Sequence, residues 1–161
     1  NFGDEIDLIR DETAKYGETD LLCYRVTEPK ALGAQQDENW QPLLDWAAKQ
    51  LDAPLTVTRG IMAVDQPAQS LFALRRPLER LDILHITALR TLVGATGSLV
   101  LALAVYFGRV SPDEAVELAT LEERFQIETW GPDEDLEASL EGKREDARAA
   151  GTILAALSRL D

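Results

Sequence analysis

Residues 99–107, Leu-Val-Leu-Ala-Leu-Ala-Val-Tyr-Phe, contain no charged side chain and no polar face, and this run constrains the fold more than any other stretch. A helix that is apolar all round has to be enclosed by other elements. Gly94, Gly97 and Gly108 punctuate its two ends. The run is far too short to cross a bilayer, which takes about 20 apolar residues. It predicts a core helix over about 98–107 and hence a mainly α fold, a multi-helix bundle built around that central helix.

The flanking sequence supplies candidate partners for it. Residues 4–16 alternate acids with Ile6, Leu8, Ile9 and Ala14 and stop at Gly17, as a first helix would. Trp40, Leu43, Leu44, Ala47, Ala48 and Leu51 share one face of a helix predicted over 37–52, with Asp37 as its cap and Pro42 near its start. Further helices are expected over 67–76, interrupted near Pro77, and over 79–93, with Leu81, Leu84, Ala88 and Leu92 in register. Ser111-Pro112-Asp113-Glu114 combines a serine cap, a first-turn proline and a capping-box glutamate, and it predicts a helix reaching Glu128. A last helix is expected over 133–159. Residues 21–25 and 55–58 read as extended and Pro29 and Gly33 as a loop. The two extended segments are expected to pair as a small ribbon, which is marginal alone and has to lie on helices or join strands from outside this chain.

The chain has 161 residues, enough for one domain that buries roughly 70% of its extended surface. Residues 1–30 read as a connecting segment and first helix, and 31–161 as one helical unit. A net charge of −13 and a pI near 4.5 repel phosphate backbones and anionic bilayers, so neither nucleic-acid binding nor membrane insertion is expected. A lone Cys23 cannot form an internal disulfide. The chain begins without methionine and reads as a fragment or processed product.

The charge is concentrated. Residues 113–146 hold 13 Asp and Glu against Arg124, Lys143 and Arg144, which is −10 of the total −13. On a wheel drawn through 113–130 as one helix, Ala115, Leu118, Ala119 and Phe125 form an apolar arc. Glu122 and Gln126 fall inside it, while Glu117, Arg124 and Glu128 point to water. An unpaired buried carboxylate is costly. Glu122 therefore pairs internally, with His85 or an arginine, or faces a partner protein, or is misplaced by the wheel. The other acids of 133–146 lack the aspartate and glycine spacing of a calcium loop and read as a solvated face.

Other chemistry finds little company. His85 lies with apolar residues and reads as a satisfied core histidine, and Cys23 as a packed thiol. Gly94-Ala95-Thr96-Gly97 lacks the strand and lysine of a phosphate loop and reads as a helix junction. No metal or cofactor is expected. Trp40 should face inward and Trp46 lies off that stripe. Trp130, beside Gly131, either anchors an interface or folds onto its own core.

Several stretches together resemble a known family: Tyr16-Gly17-Glu18-Thr19-Asp20-Leu21-Leu22-Cys23-Tyr24-Arg25, Trp40-Gln41-Pro42-Leu43-Leu44-Asp45-Trp46-Ala47, Thr58-Arg59-Gly60-Ile61 and Phe125-Gln126-Ile127-Glu128-Thr129-Trp130-Gly131. Their order and spacing over residues 5–135 resemble the assembly chaperone of the ATP synthase α subunit, a family of mitochondria and alphaproteobacteria. The resemblance implies a protein that holds the free α subunit until it meets β, without catalysis and without a cofactor. It also implies an amino-terminal, mainly β domain outside this chain. Carried over residue by residue, the family's acidic and aromatic signature falls on Glu122, Glu123, Phe125, Gln126, Glu128 and Trp130, followed by Glu134 and Asp135. These are the candidate partner-binding residues. A monomer is expected, in the bacterial cytoplasm or, in a eukaryote, the mitochondrial matrix. The competing readings are a small helical enzyme using Glu122, His85 or the acidic cluster, and a structural module for another client.

Overall fold

The central position of the apolar helix follows from how its faces are shared. In the computed structural model, which describes residues 2–160, helix α5 (Leu99–Tyr106) is preceded by α1 (Phe2–Ala14), α2 (Lys30–Gln50), α3 (Ala68–Arg75) and α4 (Ile83–Thr96). It is followed by α6 (Pro112–Ala119), α7 (Leu121–Trp130) and α8 (Glu134–Ser158). Residues 1 and 161, the outer limits of the two expected stretches, lie outside the described residues.

Leu99, Ala102 and Leu103 of α5 enter one apolar cluster with residues of α3, α4 and α8, and Ile9 and Ala14 of α1 pack against it. Val100, Leu101 and Ala104 enter a second cluster with α2, α6 and the start of α7. Each face of α5 therefore has a different apolar neighbour, and residues 99–104 are fully buried. That is the physical reason this helix has no polar side. The protein is mainly α, as the run predicts.

The helix starts are set by side-chain caps that satisfy amides left open at a first turn. Asp82 accepts from His85 N at 2.9 Å, Ser98 from Leu101 N at 3.0 Å and Asp133 from Leu136 N at 3.0 Å. Ser111 and Glu114 form the expected capping box. Gly97, at φ 69°, makes the left-handed junction between α4 and α5.

Four local expectations fail for identifiable reasons. Helix α2 starts at Lys30, so Asp37 is not a cap and Pro42 is not in the first turn. Gly33, expected in a loop, is inside α2, where an added Cβ would lie 2.7 Å from the Val26 carbonyl oxygen. Residues 76–80 form a 3₁₀ turn, so Leu81 precedes α4 and cannot set its phase; Leu84 is accordingly exposed. The helix that begins at Ser111 breaks at Thr120, whose buried hydroxyl donates to Val116 O at 2.6 Å.

The ribbon forms, but it is shorter than expected and parallel: β1 (Tyr24–Arg25) pairs with β2 (Thr58–Arg59). Residues 21–23 are a 3₁₀ turn and 55–57 are irregular. A polar lattice ties this region to the bundle. Buried Asp20 accepts from Ser98 Oγ at 2.7 Å, Val100 N at 2.9 Å and Leu22 N at 3.1 Å, joining the 3₁₀ turn to the start of α5. Burial pushes its carboxyl up to about 6, against the opposing pull of those hydrogen bonds. Asp37 on α2 accepts from Arg25 Nη1 at 3.1 Å and Arg59 Nη2 at 2.8 Å, linking both strands to the helix. Gln36 Oε1 takes the Val26 amide at 2.8 Å.

Candidate functional site

Helix α7 is held to the bundle by few side chains. Leu121 is buried and Phe125 is half-buried against the second cluster. Trp40, fully inward on α2, donates its indole N–H to Leu118 O at 2.6 Å and fixes the end of α6 just before α7 begins. Because the break at Thr120 resets the helical phase, the wheel drawn through 113–130 does not apply beyond it. Glu122 and Gln126 are exposed, not set in an apolar arc, and Glu122 makes no ion pair among the described residues. The misplaced wheel, not an internal pair, accounts for the acid that stood out of pattern.

Five more candidates are exposed or partly so. Glu128 is exposed, Glu123 is half-buried with a carboxylate oxygen 3.8 Å from Lys143 Nζ on α8, and Trp130 is 85% exposed. Gly131, at φ 94°, ends α7 and turns the chain into α8, whose first turn presents Glu134 and Asp135 to solvent. The turn thus places the two acidic segments side by side, with the indole at their junction. Phe125 is the exception, since it serves the core.

A groove that the sequence reading missed runs between α7 and α8. Arg124, Ile127, Glu128, Glu137, Leu140, Glu141 and Arg144 line a hollow of about 440 Å³. Arg124, expected to point to water, lies in it half-buried; its Nη2 donates to Glu117 O at 2.6 Å, and its Nε is buried without an acceptor. The signal that could have found this groove is the pair Ile127 and Leu140, isolated apolar residues within two acidic stretches that face each other once the chain turns at Gly131.

The residues weighed as catalytic are occupied structurally. His85 Nδ1 sits 2.7 Å from Asp82 Oδ1, and its ring meets Tyr106 edge-on at 6.4 Å. Cys23 is buried, and burial first, then the charge of Asp20, pushes its thiol up to about 12. Gly94, Ala95 and Thr96 form the last turn of α4, and Gly97 is the junction to α5. Trp46 is half-buried against Phe107, with ring centroids 6.3 Å apart. A hollow of about 580 Å³ between α1 and α4 includes Glu12, Lys15, Tyr16 and Arg90. Its carboxylate is held by Arg90 at 2.7 Å. Among the described residues no cluster of His, Cys, Asp or Glu is arranged to hold a metal ion.

With this geometry in place, comparison with solved structures is decisive. Atp12 from Paracoccus denitrificans superposes with a TM-score of 0.92 at 39% identity, over 96% of this chain and 66% of that one. The chain belongs to the ATP12 chaperone family. The family profile described as ATP12 chaperone protein matches residues 3–48, which cover α1 and most of α2. A point mutant of the Paracoccus protein matches equally, with a TM-score of 0.92, 39% identity and the same 96% and 66% coverage. A protein of Agrobacterium tumefaciens proposed to be a chaperone matches with a TM-score of 0.89 at 35% identity, over 98% of this chain and 59% of its own. The chain therefore spans 66% of the ATP12 proteins of Paracoccus and 59% of the Agrobacterium protein. The candidate residues on α7 and α8 lie outside the stretch matched by the profile.

Proposed function

We propose that this chain is the client-holding part of an assembly chaperone for the ATP synthase catalytic head, which binds the unassembled α subunit and releases it when β arrives. It acts without catalysis or cofactor, as a monomer, in the bacterial cytoplasm, the compartment consistent with its bacterial relatives. The contact surface is α7 with the first turn of α8: Glu122, Glu123, Gln126, Glu128, Trp130, Glu134 and Asp135, with Phe125 supporting it from the core side. Residues 31–161 act as the helical chaperone unit and 1–30 connect it to the rest of the protein.

The observation that carries this reading is the 85% exposure of Trp130 beside Glu122, Glu128, Glu134 and Asp135, whose carboxylates make no ion pair among the described residues. Aromatic side chains anchored beside charged rims are where protein interfaces concentrate their binding energy. Unpaired carboxylates steer a basic client surface toward the site and suppress wrong partners. Binding of the unassembled subunit alone lowers its free concentration and so its aggregation, by mass action.

The test is retention of purified ATP synthase subunits by the complete protein. Selective retention of α is expected, and Glu122→Lys, Glu123→Lys and Trp130→Ala should each weaken it while leaving the far-ultraviolet circular dichroism unchanged. Failure to retain α overturns the function. Unchanged retention by all three folded variants overturns the site.

A further inference from the structure

The groove between α7 and α8 is electrically asymmetric along its length. Its floor is apolar, formed by Ile127 and the buried Leu140. Nearest the Gly131 turn, Glu128 on α7 and Glu137 on α8 both line it, and neither has a partner among the described residues. Glu141 is different, since Arg144 holds it at 3.3 Å and Arg148 at 3.6 Å. Farther from the turn lie Arg124 and Arg144, and at that end the Arg124 Nε–H is buried with nothing to accept it. A buried donor without an acceptor is costly, and the two guanidinium groups make this end of the groove positive. Trp130 stands exposed at the acidic end.

We infer that this groove receives one amphipathic, basic helix of the client. Its apolar row, at i, i+3, i+4 and i+7, enters between Ile127 and Leu140. Its lysines or arginines lie over Glu128 and Glu137, and its carboxy-terminal carbonyls or a terminal carboxylate lie at the end lined by Arg124 and Arg144. That polarity matches the helix dipole, whose positive amino-terminal end would rest near the carboxylates and whose negative end would rest near the arginines. Charge selects the occupant. An acidic helix would place like charges over two carboxylates that have no internal compensation. This inference rests on the reading of α7 and α8 as the client surface and specifies the chemistry of what they hold.

The experiment uses the complete protein, purified α subunit and two synthetic probes: an amphipathic helical peptide with leucines at i, i+3, i+4 and i+7 flanked by lysines, and its twin with glutamates replacing the lysines. Binding is read by fluorescence anisotropy of the labelled peptides and by retention of α. The parent is expected to bind the basic peptide, to reject the acidic twin and to lose α to competition by the basic one. The double variant Glu128→Lys/Glu137→Lys should weaken basic-peptide and α binding about tenfold or more. Glu128→Gln/Glu137→Gln, which keeps the size of both side chains, should give a smaller loss in the same direction. If α is retained and both double variants bind it like the parent, the groove assignment is overturned while the chaperone reading stands. If α is not retained at all, the chaperone reading falls, and the groove is decided by the peptides: selective binding of the basic probe, abolished by the lysine variant, upholds it, and no such selectivity overturns it.

Discussion

Two acidic regions of this protein carry the same residue types and have opposite fates. Around the ribbon, Asp20 and Asp37 are fully engaged: Asp20 with a hydroxyl and two amides, Asp37 with two guanidinium groups. Around α7, Glu122 and Glu128 have no partner among the described residues, and the neighbouring tryptophan is in solvent. Motif residues alone cannot distinguish the two, because both stretches contribute to the family resemblance. Partnership does. Where the fold satisfies a carboxylate, the residue explains stability; where the fold leaves it open beside an exposed aromatic, the residue is available to another molecule.

That contrast is open to measurement. The largest effect should come from Asp20→Ala, which leaves the Ser98 hydroxyl and the Val100 and Leu22 amides without their acceptor; a loss of about 2–4 kcal/mol in denaturant-induced unfolding is expected. A change no larger than that of an exposed α7 acid would break the comparison.

A pH series sharpens the same point. Asp20 holds its proton to about 6 in the folded chain and to about 3.8 when ordinary, so between those values the native state binds more protons than the unfolded state. Stability attributable to Asp20 is therefore greatest below the lower value and falls by about 2–3 kcal/mol as pH rises through the window. Asp37 runs the other way. The Arg59 guanidinium, with help from Arg25, holds its carboxyl below the usual range, and its contribution is lost as pH falls through that depressed value. The stability difference between the parent and Asp20→Asn isolates the first effect; a pH-independent difference between 4 and 6 would refute it.

Packing at α2 should matter next. Gly33→Ala puts a methyl group against the Val26 carbonyl, and a loss of about 1–3 kcal/mol is expected from thermal or denaturant unfolding. The smallest effect belongs to α7. Glu122→Lys and Trp130→Ala should shift unfolding free energy by no more than about 0.5 kcal/mol, because both side chains lie in solvent. A loss above 1.5 kcal/mol from either, by the same measurement, would mean that α7 is structural in the manner of the ribbon.

Much of the architecture was legible before any coordinates. The apolar run marks α5 because no surface helix lacks a polar face. Ser111-Pro112-Asp113-Glu114 marks the start of α6 because each residue there answers a need of a helix first turn, and the Gly97 and Gly131 breaks follow from a backbone that other residues adopt with strain. The candidate site was legible as a stretch but not as a surface. Nothing local announces that Thr120 interrupts the helix, so the wheel turned Glu122 inward when the structure turns it out.

The sequence by itself therefore determined that the chain is a bundle of helices around one buried helix, that its acidity gathers in residues 113–146, and which motif residues belong to that stretch. Hydrophobic periodicity and capping are properties of residues near one another in the chain, and they can be read from it. Only the tertiary structure decided that Asp20 is buried and Asp37 held by two arginines, that Glu122 and Glu128 have no partner among the described residues beside an exposed Trp130, and that Ile127 and Leu140 floor a groove. Those outcomes depend on contacts between distant residues, such as Asp20 with Ser98, Trp40 with Leu118 and Glu123 with Lys143, which set how each helix is rotated and what water can reach.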